Sequence, residues 1–79
     1  MITGAQIRAA RAMLRWSAEK LAEEARLGVA TIRRADAADG ELPVTIANAH
    51  AIRTALEAAG VEFIAENGGG AGVRLRKEP

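Results

Sequence analysis

The chain has 79 residues, no cysteine and a formal net charge of +1. A chain of this length holds one domain with a modest core, and the lack of cysteine excludes disulfides and thiolate metal sites. The N-terminal segment has no apolar run of the kind found in signal peptides, and no stretch is apolar enough to span a bilayer. We therefore expect a cytoplasmic protein without a membrane partner.

Basic and acidic side chains are distributed unevenly along the chain. Residues 5–34 contain seven basic and three acidic side chains, whereas residues 35–66 contain six acidic side chains and one arginine. Residues 67–79 contain three basic side chains and one acidic one. Such an asymmetry suits a protein that presents one surface to a polyanion, although an ordinary solvated helix surface produces the same pattern.

Two helices are predicted in the first third of the chain. Thr3 and Gln6 have capping-box spacing, so the first helix begins after Thr3 and ends near Arg15. Its buried face is predicted to comprise Ile7, Ala10, Met13 and Leu14. Ser17 is a suitable N-cap for a second helix. The apolar stripe of this second helix comprises Leu21, Ala22 and Ala25.

Two further helices are predicted before residue 61. The third runs from about Val29 to Ala37, with Val29 and Ile32 facing the core. Thr45 caps the fourth helix, which Gly60 ends. The apolar stripe of the fourth helix is predicted to comprise Ile46, Ala49, Ile52, Leu56 and Ala59.

After Gly60 the period of the apolar residues changes from about 3.6 to about 2, which predicts strands. The first strand is predicted at residues 61–64 and the returning strand at residues 73–76. Residues 67–70 are predicted to form a glycine-rich turn between them. The side chains expected to share a face are Val61, Phe63, Val73 and Leu75. Because an isolated hairpin is barely stable in water, it must pack on the helices or on the same hairpin of a second copy.

The second and third predicted helices have the spacing of a helix-turn-helix unit. Ala22 is small where the helices cross, Leu27 fills the gap between them, and Ile32 anchors the third helix. Two motifs follow this spacing: SAEKLAEEA at residues 17–25 and ATIRRAD at residues 30–36. They resemble the XRE, or lambda-repressor-like, family of transcriptional regulators. The resemblance covers roughly residues 5–58, and the segments GVEFI, NGGG and GVRLR after it are similar to the tails of short proteobacterial members.

The resemblance implies a mainly α fold: a four-helix lambda-repressor-like bundle over residues 1–60, followed by a C-terminal β-hairpin and basic tail over residues 61–79. It also implies a transcriptional regulator whose third helix enters the major groove of double-stranded DNA. The candidate DNA-binding residues are Arg26, Gly28, Val29, Ala30, Thr31, Arg33 and Arg34. The family pairs an arginine of the first helix with an acid at the end of the third, which implies a structural ion pair between Arg11 and Asp36.

Arg33 and Arg34 are the residues expected to bind DNA most directly, because a guanidinium group pairs with a guanine edge or a phosphate. Val29 and Ala30 offer contact to a thymine methyl group, and Thr31 offers a phosphate contact or a local cap. A solvated helix face is the alternative for both arginines. Occupation of Arg33 and Arg34 by acids of their own chain would exclude DNA binding and favour binding to a protein.

Three residues differ from the family pattern. Ala18 replaces a glutamine that helps to bind phosphate, Arg26 replaces a glycine in the turn, and Gly28 replaces a serine or threonine cap. The backbone at Arg26 must avoid the left-handed conformation or adopt it with strain. These differences, together with the small number of polar side chains that could read bases, raise an alternative function for the same fold: an antiactivator, which binds and inhibits a transcriptional activator protein with little or no DNA binding.

We expect a homodimer that forms through the 61–76 hairpin and presents two third helices to half-sites about 34 Å apart. Alternatively, the hairpin covers the core and leaves Arg74, Arg76 and Lys77 free to contact phosphates.

No cofactor, metal site or enzymatic activity is expected, because the sequence lacks a nucleophile–base set, a metal-ligand cluster and a cofactor loop. The glycine run at residues 67–70 lies between two strands, whereas a phosphate-binding loop lies between a strand and a helix. His50 has no second histidine or cysteine to share a metal. Trp16 is expected to pack over the corner between the first two helices.

Overall fold

The computed structural model describes residues 1–76, which form four helices followed by a two-stranded antiparallel sheet. The elements are α1 (Gly4–Leu14), α2 (Ala18–Ala25), α3 (Val29–Ala37), α4 (Ile46–Ala58), β1 (Val61–Ile64) and β2 (Gly72–Leu75). The predicted fold class, a mainly α bundle with a C-terminal hairpin, is confirmed. Within residues 1–76, no helix combines the length and the apolar character needed to cross a membrane.

Side-chain caps begin the helices where the sequence predicts them. Thr3, Ser17 and Thr45 each accept a hydrogen bond from the backbone N–H three residues further on. Thr3 and Gln6 together form a complete capping box. Gly28 is the N-cap of α3 and supplies no side-chain hydrogen bond. Each serine or threonine cap contributes about 1 kcal/mol, so the start of α3 is the least stabilised of the four.

One hydrophobic core joins the helices and the hairpin. Its buried members are Ile2, Ile7, Ala10, Leu21, Ala22, Ile32, Ala35, Leu42, Ala49, Ile52, Leu56 and Val61. β1 lies against α4 and β2 lies against α1. Because Val61 belongs to the same cluster as the helical residues, the hairpin is packed on the bundle of its own chain.

Val61 pairs with Leu75 and Phe63 pairs with Val73, which agrees with the predicted shared face, and β2 begins one residue before the predicted start at Val73. Phe63 and Val73 pack against the core, whereas Leu75 is 47% exposed. The two strands therefore pair within the chain, and on the apolar face Val61 is buried whereas its partner Leu75 is open to solvent. Lys77, predicted as part of the basic tail, lies outside the described residues.

The glycine-rich turn is closed by a side chain from its own segment. The Glu66 carboxylate accepts hydrogen bonds from the backbone N–H groups of Gly68, at 2.9 Å, and Gly70, at 3.0 Å. Both glycines have positive φ angles, of 97° and 94°, a backbone region that glycine adopts without steric cost. The N–H groups of Gly68 and Gly70 are thus occupied by an intramolecular anion.

Two apolar residues predicted to face the core are at the surface. Ile46 is 77% exposed and Met13 is 37% exposed. A step of three residues turns an α-helix by about 300°, so a stripe built from such steps drifts away from the buried face. Ile46 lies about 90° from the centre of the face formed by Ala49, Ile52 and Leu56. Periodicity alone therefore overestimated the width of the buried stripe.

The first turn of α1 holds two distant parts of the fold together. Gly4 is buried against the end of α3, where an added Cβ would overlap the carbonyl oxygen of Ala38 and lie 2.7 Å from that of Ala35. The buried Gln6 side chain donates through Nε2 to the carbonyl oxygens of Ile64, at 3.3 Å, and Gly72, at 2.9 Å. α1 thus contacts α3 on one side and the hairpin on the other.

Candidate nucleic-acid interface

The helix-turn-helix unit consists of α2, the connecting residues 26–28 and α3. Leu21 and Ala22 of α2 and Ile32 of α3 are buried in the core, and Leu27 packs against it from the turn. These are the positions that the spacing of the sequence indicated. Because the inner faces of both helices are occupied, the opposite face of α3 remains at the surface.

The predicted DNA-binding residues lie in the turn and on this outer face of α3. Five of them are exposed: Arg26, Gly28, Ala30, Arg33 and Arg34. Val29 and Thr31 are half-buried, and Val29 packs against the core. The surface therefore combines guanidinium groups with small apolar side chains and offers few other polar groups.

The two arginines of α3 differ in their partners. Arg33 donates to the carboxylate of Glu19, so one of the two arginines is occupied by an acid of its own chain. Arg34 donates to the hydroxyl of Thr31 at 3.3 Å. Among residues 1–76 it has no carboxylate within 4.0 Å. Arg34 is thus the cation of α3 that is available to an anion.

The turn between α2 and α3 contains a strained residue. Arg26, the C-cap of α2, has φ 58° and ψ 44°, which is the left-handed region. Of the two outcomes open from the sequence, the structure has the strained one. Arg15, the C-cap of α1, has nearly the same conformation, with φ 58° and ψ 39°. This conformation costs a residue other than glycine about 1–2 kcal/mol.

Replacement of Arg26 by glycine should therefore make the protein more stable by about 0.5–1 kcal/mol, since strain is relieved but the unfolded chain gains entropy. Urea denaturation followed by circular dichroism measures this change. Arg15→Gly is the matched control, because it relieves the same strain away from α3 and should give the same gain. A loss of stability in both variants would contradict the account of strain.

Arg11 fixes the orientation of α3 relative to α1. Its Nε and Nη2 atoms donate to the two carboxylate oxygens of Asp36, at 2.9 and 3.2 Å, and Nη1 donates to the carbonyl oxygen of Trp16 at 2.9 Å. The hydrogen bonds to Asp36 raise the pKa of Arg11 above its ordinary value. Partial burial lowers this pKa, and the charges of Asp36 and Glu19 raise it. The arrangement agrees with a structural role, in which such a pair fixes geometry more than it adds stability.

Arg8 supports the same end of α3, a role that the sequence analysis missed. Its Nη1 atom donates to the carbonyl oxygens of Asp36, at 2.6 Å, and Ala38, at 3.3 Å. A cation there satisfies carbonyl groups that a helix end leaves without partners. Arg8 and Arg11 are three residues apart and so share one side of α1. This spacing is the signal in the sequence that could have indicated the role of Arg8.

A surface groove of about 430 Å³ lies between α3 and the start of α4. It is lined by Thr31, Arg34, Leu42, Pro43, Val44, Thr45 and Asn48. Thr45 caps α4, so the groove contains a helix N-terminus, where the backbone dipoles favour an anion. The Arg34 guanidinium and this helix end therefore contribute positive potential to one groove.

The charges of the helix-turn-helix unit are nearly balanced. Residues 18–37 contain four basic and four acidic side chains. Lys20 pairs with Glu24 at 3.3 Å, and the Arg33–Glu19 pair removes another cation from the set. Within the described residues, Arg26 and Arg34 are the basic side chains of this unit without an acidic partner. Positive potential is thus concentrated at the turn and at the middle of α3.

The remaining titratable residues offer no second site in the described chain. His50 is exposed on α4, and residues 1–76 contain no group of three or more His, Asp or Glu side chains that could hold a metal ion. Trp16 is half-buried and packs against the core, with the Lys20 ammonium 5.9 Å from the ring centroid.

No protein-family model matches the chain, and no curated protein matches it closely enough to indicate a relationship. The fold therefore defines the class of protein: a small helical bundle that contains a helix-turn-helix unit, followed by a β-hairpin.

Proposed function

We propose that the protein binds double-stranded DNA through the exposed face of α3 and regulates transcription. The observation that carries this proposal is the position of Arg34, which is exposed, has no acidic partner among residues 1–76, and lines a groove with the N-terminus of α4. A guanidinium beside a helix N-terminus suits a DNA phosphate. The proposal implies a cytoplasmic protein.

The roles of the other surface residues follow from their chemistry. Arg26 supplies a second phosphate contact from the turn. Gly28 and Ala30 are small and exposed, so they allow the backbone of α3 to approach the bases closely. Arg33 is on the same face, and contact with DNA requires it to exchange Glu19 for a nucleic-acid partner.

The variant Arg34→Gln should lower the affinity for duplex DNA about tenfold and reduce the slope of log Kd against log salt by about one, because one phosphate or base contact is lost. Fluorescence anisotropy on DNA from upstream of the gene, at several salt concentrations, measures both quantities.

Arg53→Gln is the matched control, because it removes the same charge from α4, where Arg53 pairs with Glu57 and lies against the Phe63 ring. Its affinity should change less than about twofold. Equal losses in the two variants would mean that total charge, and not the α3 face, determines binding. No binding by the unmodified protein at low salt would reject the proposal.

The proposal includes a dimer formed through the hairpin. Each strand of this sheet has a single neighbour, so each leaves one edge able to pair with another chain, and Leu75 at the end of β2 is 47% exposed. Pairing of two copies would present two α3 helices to adjacent half-sites.

Leu75→Glu should shift the sedimenting mass from two chains towards one, because a carboxylate would be placed in the contact between copies. Ile46→Glu is the control, since Ile46 is another exposed apolar side chain, on α4. If Ile46→Glu dissociates the dimer and Leu75→Glu does not, the contact lies on α4. A single-chain mass for the unmodified protein would reject the dimer.

A second candidate function is an antiactivator that binds a transcriptional activator protein. Two observations favour it: the helix-turn-helix unit is nearly neutral, and Arg33 is already paired with an acid. This function predicts a stable complex with a larger regulator that survives both Arg34→Gln and high salt. The DNA-binding proposal predicts that Arg34→Gln lowers the affinity for DNA about tenfold and that high salt weakens binding further.

A further inference from the structure

The ion pair between Arg33 and Glu19 connects the outer face of α3 to the first turn of α2. Both side chains are well exposed, at 59% for Arg33 and 62% for Glu19. An exposed pair of this kind contributes little to stability. The two helices are in any case joined by buried residues such as Leu21 and Ile32. The structure of the unit therefore does not depend on the pair.

Glu19 lies in the first turn of α2. It lies directly after the Ser17 cap and Ala18, where the dipole of the helix favours a carboxylate. Its charge also acts on Arg11, whose pKa it helps to raise. A polyanion that approaches the α3 face thus meets a fixed negative charge beside Arg33, whereas it meets none beside Arg34 within the described residues.

We propose that Glu19 determines DNA selectivity through its ion pair with Arg33. Arg33 leaves Glu19 and contacts DNA only where the DNA offers acceptors that take the place of the carboxylate oxygens. This inference rests on the proposed function. A guanine edge offers two acceptors in a geometry that a guanidinium can match, as a carboxylate does. A phosphate also offers two oxygens to a guanidinium, but its negative charge is repelled by Glu19, whereas the neutral guanine edge is not. Glu19 therefore reduces non-specific binding more than binding to a site with guanine opposite Arg33.

The test is the affinity of Glu19→Gln for a fluorescent duplex of mixed sequence, measured by anisotropy at low salt. Loss of the carboxylate should raise this affinity about five- to tenfold, because Arg33 is released and a repulsive charge is removed. Glu23→Gln is the matched control: Glu23 lies one turn further along α2, is exposed, and is in no ion pair within residues 1–76. Its affinity should rise less than about twofold.

The same substitution in the Arg33→Ala background separates release of Arg33 from repulsion alone. In that background, the increase in DNA affinity caused by Glu19→Gln should be no larger than the increase caused by Glu23→Gln. Equal increases in DNA affinity for Glu19→Gln and Glu23→Gln would overturn the inference while leaving DNA binding intact. An increase from Glu19→Gln that is as large without Arg33 as with it would do the same. Absence of binding in the unmodified protein and in every variant would instead reject the proposed function and the inference with it.

Discussion

Replacing Gly4 with alanine should destabilise the protein by about 3 kcal/mol, although alanine is the better helix former. The new Cβ would overlap the carbonyl oxygen of Ala38 and lie 2.7 Å from that of Ala35. Both are backbone atoms, and the carbonyl of Ala38 also accepts from Arg8. Relief of the overlap therefore requires α1 to move away from α3. Urea denaturation followed by circular dichroism measures the loss.

Gly40→Ala is the control for the general effect of alanine in place of glycine. No heavy atom of the described chain lies within 4 Å of a Cβ built there, and its backbone is not in the left-handed region. Its stability should change by less than about 1 kcal/mol, with a small gain from the stiffer unfolded chain. Equal stabilities of the two variants would show that α1 and α3 are not in close contact at Gly4.

Gln6→Glu should destabilise the protein by about 3 kcal/mol at neutral pH, because it places a charged acceptor where a buried donor is needed. The Gln6 amide donates to two carbonyl oxygens, one in each strand of the hairpin, while its Oε1 accepts from the Thr3 N–H at 2.8 Å. The introduced carboxylate preserves the capping box and loses the link to the hairpin. Facing two carbonyl oxygens, it would also be repelled.

The pH dependence of this variant has a definite sign. Burial against carbonyl oxygens raises the pKa of the introduced carboxyl in the folded state above its unfolded value of about 4.3. The folded state then binds more protons, so stability falls as pH rises from the unfolded pKa to the folded one. The deficit relative to the unmodified protein should be largest at neutral pH and shrink towards pH ~4.

Asn67→Asp makes the same chemical change at an exposed site. The Asn67 side chain uses its oxygen to accept from the Gly69 N–H, and a carboxylate can do this too. Its stability should stay within about 0.5 kcal/mol of the unmodified protein at all pH values tested. A Gln6→Glu variant that is equally tolerant would mean that the hairpin does not depend on α1.

Local features of the fold could be predicted from the sequence because short segments determine them. The caps at Thr3, Ser17 and Thr45 depend on one side chain and one N–H group three residues away. The two strands and their shared apolar face follow from alternation and a glycine-rich turn. The bounds of α3 likewise follow from a break at residues 27–28 and a short apolar stripe.

Features that depend on how elements cross could not be predicted. Glu19 lies near Arg33 because α2 and α3 meet at a particular angle, and no spacing within either helix encodes this contact. The same holds for Gly4, which is ordinary in a helix start until the end of α3 lies against it. Gln6 was correctly predicted as a cap, but its second role needs the hairpin to fold back over α1.

The near balance of charge in the helix-turn-helix unit has a kinetic consequence. At physiological ionic strength, charges are screened beyond about 8 Å, so a distant polyanion senses the unit as close to neutral. Long-range steering, which accelerates encounters between strongly complementary charges, is then weak for this surface. Differences between ligands should consequently arise after contact and appear in how long a complex lasts, and much less in how often it forms.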